Sequence, residues 1–453
     1  MALLQYLQHG IDEKDLPQTA AGLTITAVLR WLPGSRLVVD GYWNGQPVVA
    51  KLFCPGSKGK RAQRKEVRGL QAIAKCNVHC PAIKDVLTLD EGIHLLVMEK
   101  LEGETALRYC LQGSRAQRRS RIHRLACWVR EVQQKGVVQT DIHPGNFFFT
   151  AGGWALLDAA ECRFGSPTPV RAKANLAALL AQFPPLDLPD VRDCFAELGE
   201  YQGALRVARR RRYQMILKKA LRPCTEFAAV RQGDVRGMCR RELLPQVEAL
   251  LARGLDDVMQ TTDSLKLGGA STVVRDGQSG WVIKRYNIKS FVHRIKRQWG
   301  ATRAQKAWLG GVFLREVGVQ TPLPVAYLEE RRHGLRHRAW IINAYQSGRG
   351  LDELSPEQAP PEPVVLSLQD YFLLMAQLGF QHGDMKSTNI LVCNDRISVI
   401  DLDAFNPFPR DPEASYRKDY NRFMRNWPKG SVLRTSLERA IAEAGLSDHN
   451  QGV

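Results

Sequence analysis

From Ala21 to Phe53 the chain alternates β-branched or apolar residues with polar ones, and the alternation breaks at Pro33-Gly34-Ser35 and again at Asn44-Gly45. A period of two interrupted by turn residues predicts antiparallel strands, and Asn-Gly between two such runs is a strong hairpin signal. Three strands are expected, the third ending at Lys51. The period then lengthens. Residues 61–73 (RAQRKEVRGLQAI) read as a basic helix, and Ile93 to Met98 as a strand running into the polar stretch Glu99 to Gly103. Ser114 to Lys135 reads as a basic amphipathic helix with Leu125, Trp128, Val129 and Val132 on one stripe. At Gly136 the pattern changes again. GVVQTDIHPGNFFFTAGGWALLDAAECRF gives a Pro-Gly loop, the apolar run Phe147 to Phe149, the turn Ala151-Gly152-Gly153 and a second apolar run ending at Asp158. This predicts a loop feeding a tight hairpin. Ala204 to Arg222 then places Tyr213, Ile216, Leu217, Ala220 and Leu221 on one helical face, and Cys224 to Met259 reads as a helical connector.

The same succession returns downstream. Leu267 to Val273 (LGGASTV) and the turn Asp276 to Gly280 predict strands around flexible corners, and WVIKRYN a strand carrying Lys284. Thr321-Pro322-Leu323-Pro324 enters another strand, Ala339 to Ala344 one more, and Ser355 to Pro363 is a Pro-rich surface loop. Leu366 to Leu378 should be the helix preceding Gly379 to Phe405, GFQHGDMKSTNILVCNDRISVIDLDAF, which repeats the loop and hairpin of the first half. The tail KDYNRFMRNW is expected to be helical, with Phe423 and Trp427 packing. The expected division is a first domain over residues 1–222, a helical connector over 223–260 and a second domain over 261–453.

The 453 residues suffice for two or three cores, and 44% hydrophobic with 24% charged residues indicates a globular chain. The formal net charge of +18 favours an anionic partner. Nucleic acid is not the expected one, because aromatics are not interleaved with the basic runs. The first nineteen residues do not look like a secretory signal, and no run approaches the roughly 18 apolar residues of a membrane span. A cytoplasmic location, at most peripheral on a membrane, is expected. Among the ten cysteines only Cys76 and Cys80 cluster, without a second ligand pair for zinc, so reduced and mostly buried thiols are expected.

The polar residues of the two repeated loops carry the chemistry. Asp141 and Asn146 are five apart and Asp158 follows twelve later; Asp384, Asn389 and Asp401 repeat both spacings. Such a triplet supplies one carboxylate to orient a hydroxyl and accept its proton, and an Asn with a second Asp to hold Mg²⁺ against nucleotide phosphates. Lys51 lies within an apolar strand, where a lysine needs an anionic partner. Glu66 is the only acid between Asp40 and Asp85 and so the sole local candidate. Gly34-Ser35 is the only flexible part of the first strand turn. Its counterpart Gly268-Gly269-Ala270-Ser271 is a better phosphate loop, since glycines and hydroxyls let backbone amides approach oxygens. Between Asp276 and Glu316 there is no acid, which leaves Lys284 without an early helical glutamate within the strongest anion-binding stretch of the second half.

Through QTDIHPGNFF and LLDAAECRF, and more closely through VIKRYNIKS, GVQTPLP, QHGDMKSTNIL and VIDLDAF, the chain resembles the lipopolysaccharide core kinases that phosphorylate inner-core heptose, here duplicated in tandem. The resemblance implies an α+β fold of two protein-kinase-like bilobal domains, each with a small antiparallel β lobe and a larger helical lobe. It makes Asp141 and Asp384 the catalytic bases. Asn146 and Asp158, with Asn389 and Asp401, become the Mg²⁺ ligands. Lys51 with Glu66, and Lys284 with Gly268, Gly269 and Ser271, would hold ATP. Gln139 stands where protein kinases carry a histidine before the base, and His382 fills that place in the second half. His143 and Lys386 could steady the transferring phosphoryl group. The implied acceptor is a lipid-linked core sugar at the anionic inner-membrane surface. Competing expectations are a pseudokinase binding module and a soluble small-molecule phosphotransferase.

Overall fold

The computed structural model describes residues 2–9, 19–20, 22–261, 263–267, 271–286, 300–332 and 335–443. The fold is α+β with antiparallel sheets. The chain divides into two compact units, Met1–Phe183 with Asp187–Arg209, and Pro184–Leu186 with Arg210–Val453. The division falls within the helix Gln202–Lys219, upstream of the expected connector.

In the first unit a six-stranded sheet takes the order Thr19–Ala20, Leu23–Leu32, Arg36–Trp43, Gln46–Phe53, His94–Glu99, Ile83–Thr88. Asn44 and Gly45 both have positive φ (51° and 75°) and pair Trp43 with Gln46, the two-residue hairpin that Asn-Gly favours. The third long strand continues two residues past Lys51, which leaves Lys51 inside the sheet opposite Val38 and Leu96. One sheet face packs Leu37, Val39, Val48 and Ala50 against Leu3, Tyr6 and Leu7 of the helix Ala2–His9. The helix Ser57–Lys75 buries Gln63, Glu66, Leu70 and Ile73, three or four residues apart, and Gln63 Nε2 donates to Leu95 O at 2.7 Å. The helices Arg115–Gln134 and Pro169–Leu180 form a second core of Ile122, Leu125, Ala126, Val129, Leu176 and Leu180. Each large aliphatic buried there contributes about 1.5–3 kcal/mol. Ser114 and Gln117 form a reciprocal capping box that starts the first of these helices one residue after the expected position.

In the second unit a seven-stranded antiparallel sheet takes the order Phe227–Gln232, Val235–Arg240, Pro324–Arg332, Leu335–Ala344, Trp281–Tyr286, Ser271–Asp276, Asp263–Leu267. Its edge corrects the expected helical connector. Residues 227–240 form a hairpin turned at Gly233 (φ 55°) and Asp234, and only Leu244–Ala252 and Leu255–Thr261 are longer helices. The hairpin wins because Phe227, Ala228, Val230, Met238 and Cys239 bury against the sheet core, where a helix would leave the edge of Pro324–Arg332 unpaired. The helix Glu362–Leu378 stops at Gly379, whose positive φ (69°) lets its amide reach Met375 O at 2.8 Å. Phe372, Tyr416, Phe423 and Trp427 pack together, as expected of the tail.

The apolar face of Gln202–Lys219 is committed to packing: Tyr213 and Leu217, with Ala220 just beyond, lie in the second unit's core. Among the described residues no helix is long and apolar enough to cross a membrane.

Candidate functional site

The first unit brings Lys51, Glu66, Asp141, Asn146 and Asp158 into one bonded cluster. Lys51 Nζ donates to Glu66 Oε1 at 2.6 Å, with side-chain exposures of 11% and 0%. Neither charge is tolerable there alone, because an unpaired buried ion costs several kcal/mol. Glu66 Oε1 also accepts from the amide of Ala159 at 3.3 Å, which ties strand and helix to the residue after Asp158. Gly69 permits the approach, since a Cβ on it would lie 2.4 Å from Ala159 O. On the other side, Gln139 Oε1 accepts from the Asp141 amide at 3.0 Å and Gln139 Nε2 donates to Asp158 O at 2.6 Å. Asn175 fixes Gln139 by donating to its carbonyl at 2.8 Å. Asn146 Nδ2 donates to Asp141 O at 2.8 Å, and the Leu157 amide donates to Asn146 O at 2.9 Å. Two carboxylate oxygens, Asp158 Oδ1 and Glu66 Oε2, are buried without a hydrogen-bond partner. An orphan buried acceptor costs about 1–3 kcal/mol. A hard cation held by Asp158 and the side-chain oxygen of Asn146 would relieve the first of them, so the donor set fits Mg²⁺.

The second unit repeats the wiring with one substitution. His382, fully buried, accepts from the Asp384 amide on Nδ1 at 3.3 Å, so its proton sits on Nε2 and is donated to Ile400 O at 3.1 Å. Burial pushes this imidazole below its ordinary pKa, which agrees with the neutral tautomer. Gln139 and His382 thus do similar work: each accepts from the amide of the first aspartate of its triplet and donates to a backbone carbonyl at or next to the last, Asp158 O in one unit and Ile400 O in the other. Asp419, also fully buried, receives the amides of His382 (2.7 Å) and Gly383 (3.0 Å). Asn389 Nδ2 donates to Asp384 O at 2.8 Å, and the Ile400 amide to Asn389 O at 2.9 Å. Asp384 itself is paired with Lys386 at 3.1 Å and with Arg422.

The lysine arrangement differs. Lys284 Nζ lies 2.6 Å from Asp401 Oδ1 and 2.8 Å from Asp403 Oδ2, and the Tyr286 hydroxyl donates to Asp403 Oδ1. Burial lowers the Lys284 pKa, but the charges of Asp403 and Asp401 outweigh it and hold the ammonium above its ordinary value. Burial raises Asp401 too, and Lys284 outweighs that to hold it below the ordinary carboxylate range. Asp403 is pushed up, by burial first and by the charge of Asp401 second. A cavity of about 70 Å³ remains beside Lys284, Ala307, Thr321 and Ile341, room for a water or two.

The two units have exchanged the position of one acid. Gly69 touches Ala159, one residue after Asp158; Gly310 on the helix Arg303–Glu316 would place a Cβ 3.1 Å from that of Leu402, one residue after Asp401. Three residues before these glycines stand Glu66 and Ala307; two residues after the aspartates stand Ala160 and Asp403. The acid on the helix in the first unit is on the loop in the second. Asp403 and Tyr286 are the site residues that sequence reasoning missed, and the signal was the second aspartate of IDLDAF. Glu316, the distant helical acid, pairs with Arg212 instead.

Ser271 begins the strand Ser271–Asp276, while Gly268, Gly269 and the basic stretch 287–299 lie outside the described residues. Gly34 (φ 66°) forms the first turn, with its amide donating to Leu7 O at 3.1 Å. Beside Ala159 and Ala160 a groove of about 750 Å³ is lined by Lys60, Arg61, Arg64, Lys65 and Arg68 from the helix Ser57–Lys75. Lys65 is paired with Glu161 at 2.7 Å.

Residues 258–440 match the model of the Lipopolysaccharide kinase (Kdo/WaaP) family. This carries the family resemblance expected from VIKRYNIKS through VIDLDAF, and the matched range lies wholly within the second unit. No match was found among curated proteins. One solved structure with likeness to the chain is a double mutant of the Mycobacterium tuberculosis PknI kinase domain. It is 18% identical over 41% of this chain and 87% of that one, with a TM-score of 0.28.

Proposed function

We propose that the chain is a tandem kinase of two-lobed domains that transfers the γ-phosphate of ATP to a sugar hydroxyl, heptose or similar, of a lipid-linked lipopolysaccharide core at the cytosolic membrane face. The observation that carries this reading is the doubled wiring: in each unit an Asp–Asn–Asp triplet is held together by the same hydrogen bonds, beside a strand lysine paired with carboxylate. Asp141 and Asp384 would orient the acceptor hydroxyl and take its proton. Asn146 with Asp158, and Asn389 with Asp401, would hold Mg²⁺, which neutralises phosphate charge when bound. Lys51 and Lys284 would bind phosphate oxygens, and catalysis would rest on positioning and electrostatics. The groove of five basic side chains beside Ala159 and Ala160 suits an acceptor already bearing carboxylates and phosphates.

Full-length protein incubated with Mg-ATP should phosphorylate purified lipopolysaccharide core and not a small aminoalcohol. Asp141→Ala and Asp384→Ala together should abolish transfer; undiminished transfer by the double variant would overturn the reading, and transfer to the aminoalcohol alone would favour a soluble phosphotransferase.

A second reading concerns the second unit. Lys284 is clamped by the aspartate meant for metal and by Asp403, which suits a binding module as well as a closed catalytic site. In the full chain, loss of all turnover in Asp141→Ala with none in Asp384→Ala would assign catalysis to the first unit alone.

A further inference from the structure

The first unit carries a cluster that the phosphoryl-transfer reading does not use. His123 and Cys127 stand one helical turn apart on Arg115–Gln134 and therefore share a face. Asp193 and Cys194 open the short turn Asp193–Phe195 that meets this face. His123 Nε2 is 2.8 Å from Asp193 Oδ2, and Cys127 Sγ is 3.8 Å from the His123 ring nitrogens, 3.9 Å from Asp193 Oδ2 and 2.8 Å from Cys194 Sγ. One ligand atom from each of the four residues lies within 4.8 Å of all the others.

We propose that His123, Cys127, Asp193 and Cys194 form a tetrahedral site for a thiophilic divalent cation, Zn²⁺ foremost. With Zn–S of about 2.3 Å and Zn–N or Zn–O of about 2.0–2.2 Å, tetrahedral ligand atoms lie roughly 3.3–3.8 Å apart. The cluster brackets that range, and the two close pairs need only spread around an ion. Two thiolates, an imidazole and a carboxylate form a borderline-soft set that suits zinc and disfavours Mg²⁺ or Ca²⁺. All four positions are filled by protein, which marks a structural site rather than a catalytic one.

Its mechanical effect follows from what it joins. Arg115–Gln134 runs into the strand Val137–Gln139 and thence to Asp141, while the segment after Asp187 packs Val191, Phe195 and Leu198 into the same core as this helix and is also tied to it by ion pairs, Arg118 to Asp187 and Arg130 to Glu197. Of these, Glu197 is largely exposed, and such pairs contribute little. A metal would fasten the segment to the helix that presents the catalytic loop.

The test uses full-length protein purified under reducing conditions without chelator. Elemental analysis should find about one zinc per chain, falling to none in Cys127→Ser/Cys194→Ser and unchanged in Cys76→Ser. Cobalt reconstitution should give thiolate charge-transfer and tetrahedral d–d bands that Asp193→Asn and His123→Gln alter while the chain stays folded by circular dichroism. The proposal is overturned if zinc in the wild type does not exceed that in the double serine variant after equimolar reconstitution. It is equally overturned if denatured, unreduced protein shows a Cys127–Cys194 disulfide by mass. Neither readout depends on phosphate transfer, so this proposal and the kinase reading fail separately.

Discussion

Replacing Glu66 with alanine isolates what the Lys51–Glu66 pair does. The variant leaves an ammonium that is 11% exposed with no counter-ion and deprives the Ala159 amide of an acceptor. Breaking a buried pair by removing one partner costs about 3–5 kcal/mol, because the remaining charge is stranded. At about 2–4 °C per kcal/mol for a unit of this size, its transition should fall by roughly 10 °C. Replacing both partners with apolar residues of similar volume, Lys51→Met with Glu66→Leu, removes the stranded charge and should restore most of that loss. The assay is a double-mutant cycle by calorimetry and urea titration on the full chain, following only the transition that moves in Glu66→Ala, since a two-unit chain need not unfold in one step. The restored double variant should still fail to bind nucleotide, separating packing from function. A double variant as unstable as the two single losses summed, or a Glu66→Ala shift below about 1 kcal/mol, would refute the reasoning.

Two further outcomes follow from the exchanged acid and the exchanged histidine. Asp403→Ala removes a charged hydrogen bond of about 1.5–3 kcal/mol from Lys284 and should weaken Mg-nucleotide binding by the second unit, measured calorimetrically in an Asp141→Ala background. Adding Ala307→Glu restores the helical acid of the first unit and should recover binding; no recovery would show that the two positions are not equivalent. His382 is held neutral, below its ordinary pKa, so the unfolded chain binds its proton first as pH falls. The stability it contributes is therefore present above pH of about 6.5 and declines below it. His382→Gln, which copies Gln139, should keep the fold and flatten the dependence of the urea midpoint between pH 7.5 and 5, as an ordinary histidine pKa of about 6.5 requires. An unchanged slope would contradict this.

The sequence made the two triplets legible because their residues lie on one loop and its hairpin, where spacing alone dictates proximity. Lys51 and Glu66 were legible by elimination, since one acid stands in the local window. The partner of Lys284 was not, because the second carboxylate had moved from the helix to Asp403, and contacts across the chain leave no local period. The edge hairpin at 227–240 was hidden by its arginines, which read as helical until Phe227, Val230 and Met238 are seen against the sheet. The histidine–cysteine cluster was invisible for the same reason as Asp403: each half is an ordinary dipeptide or helical pair, and only packing of a short turn on the helix unites them.

The central claim is that each triplet converges to move phosphate to a core sugar. Mass spectrometry of core oligosaccharide incubated with the wild-type chain, Mg²⁺ and ATP tests it directly. The account predicts one added phosphate per modified sugar, lost when Asp141 and Asp384 are both alanine. A core of unchanged mass with the wild-type chain, or a phosphorylated one with the double variant, would contradict it.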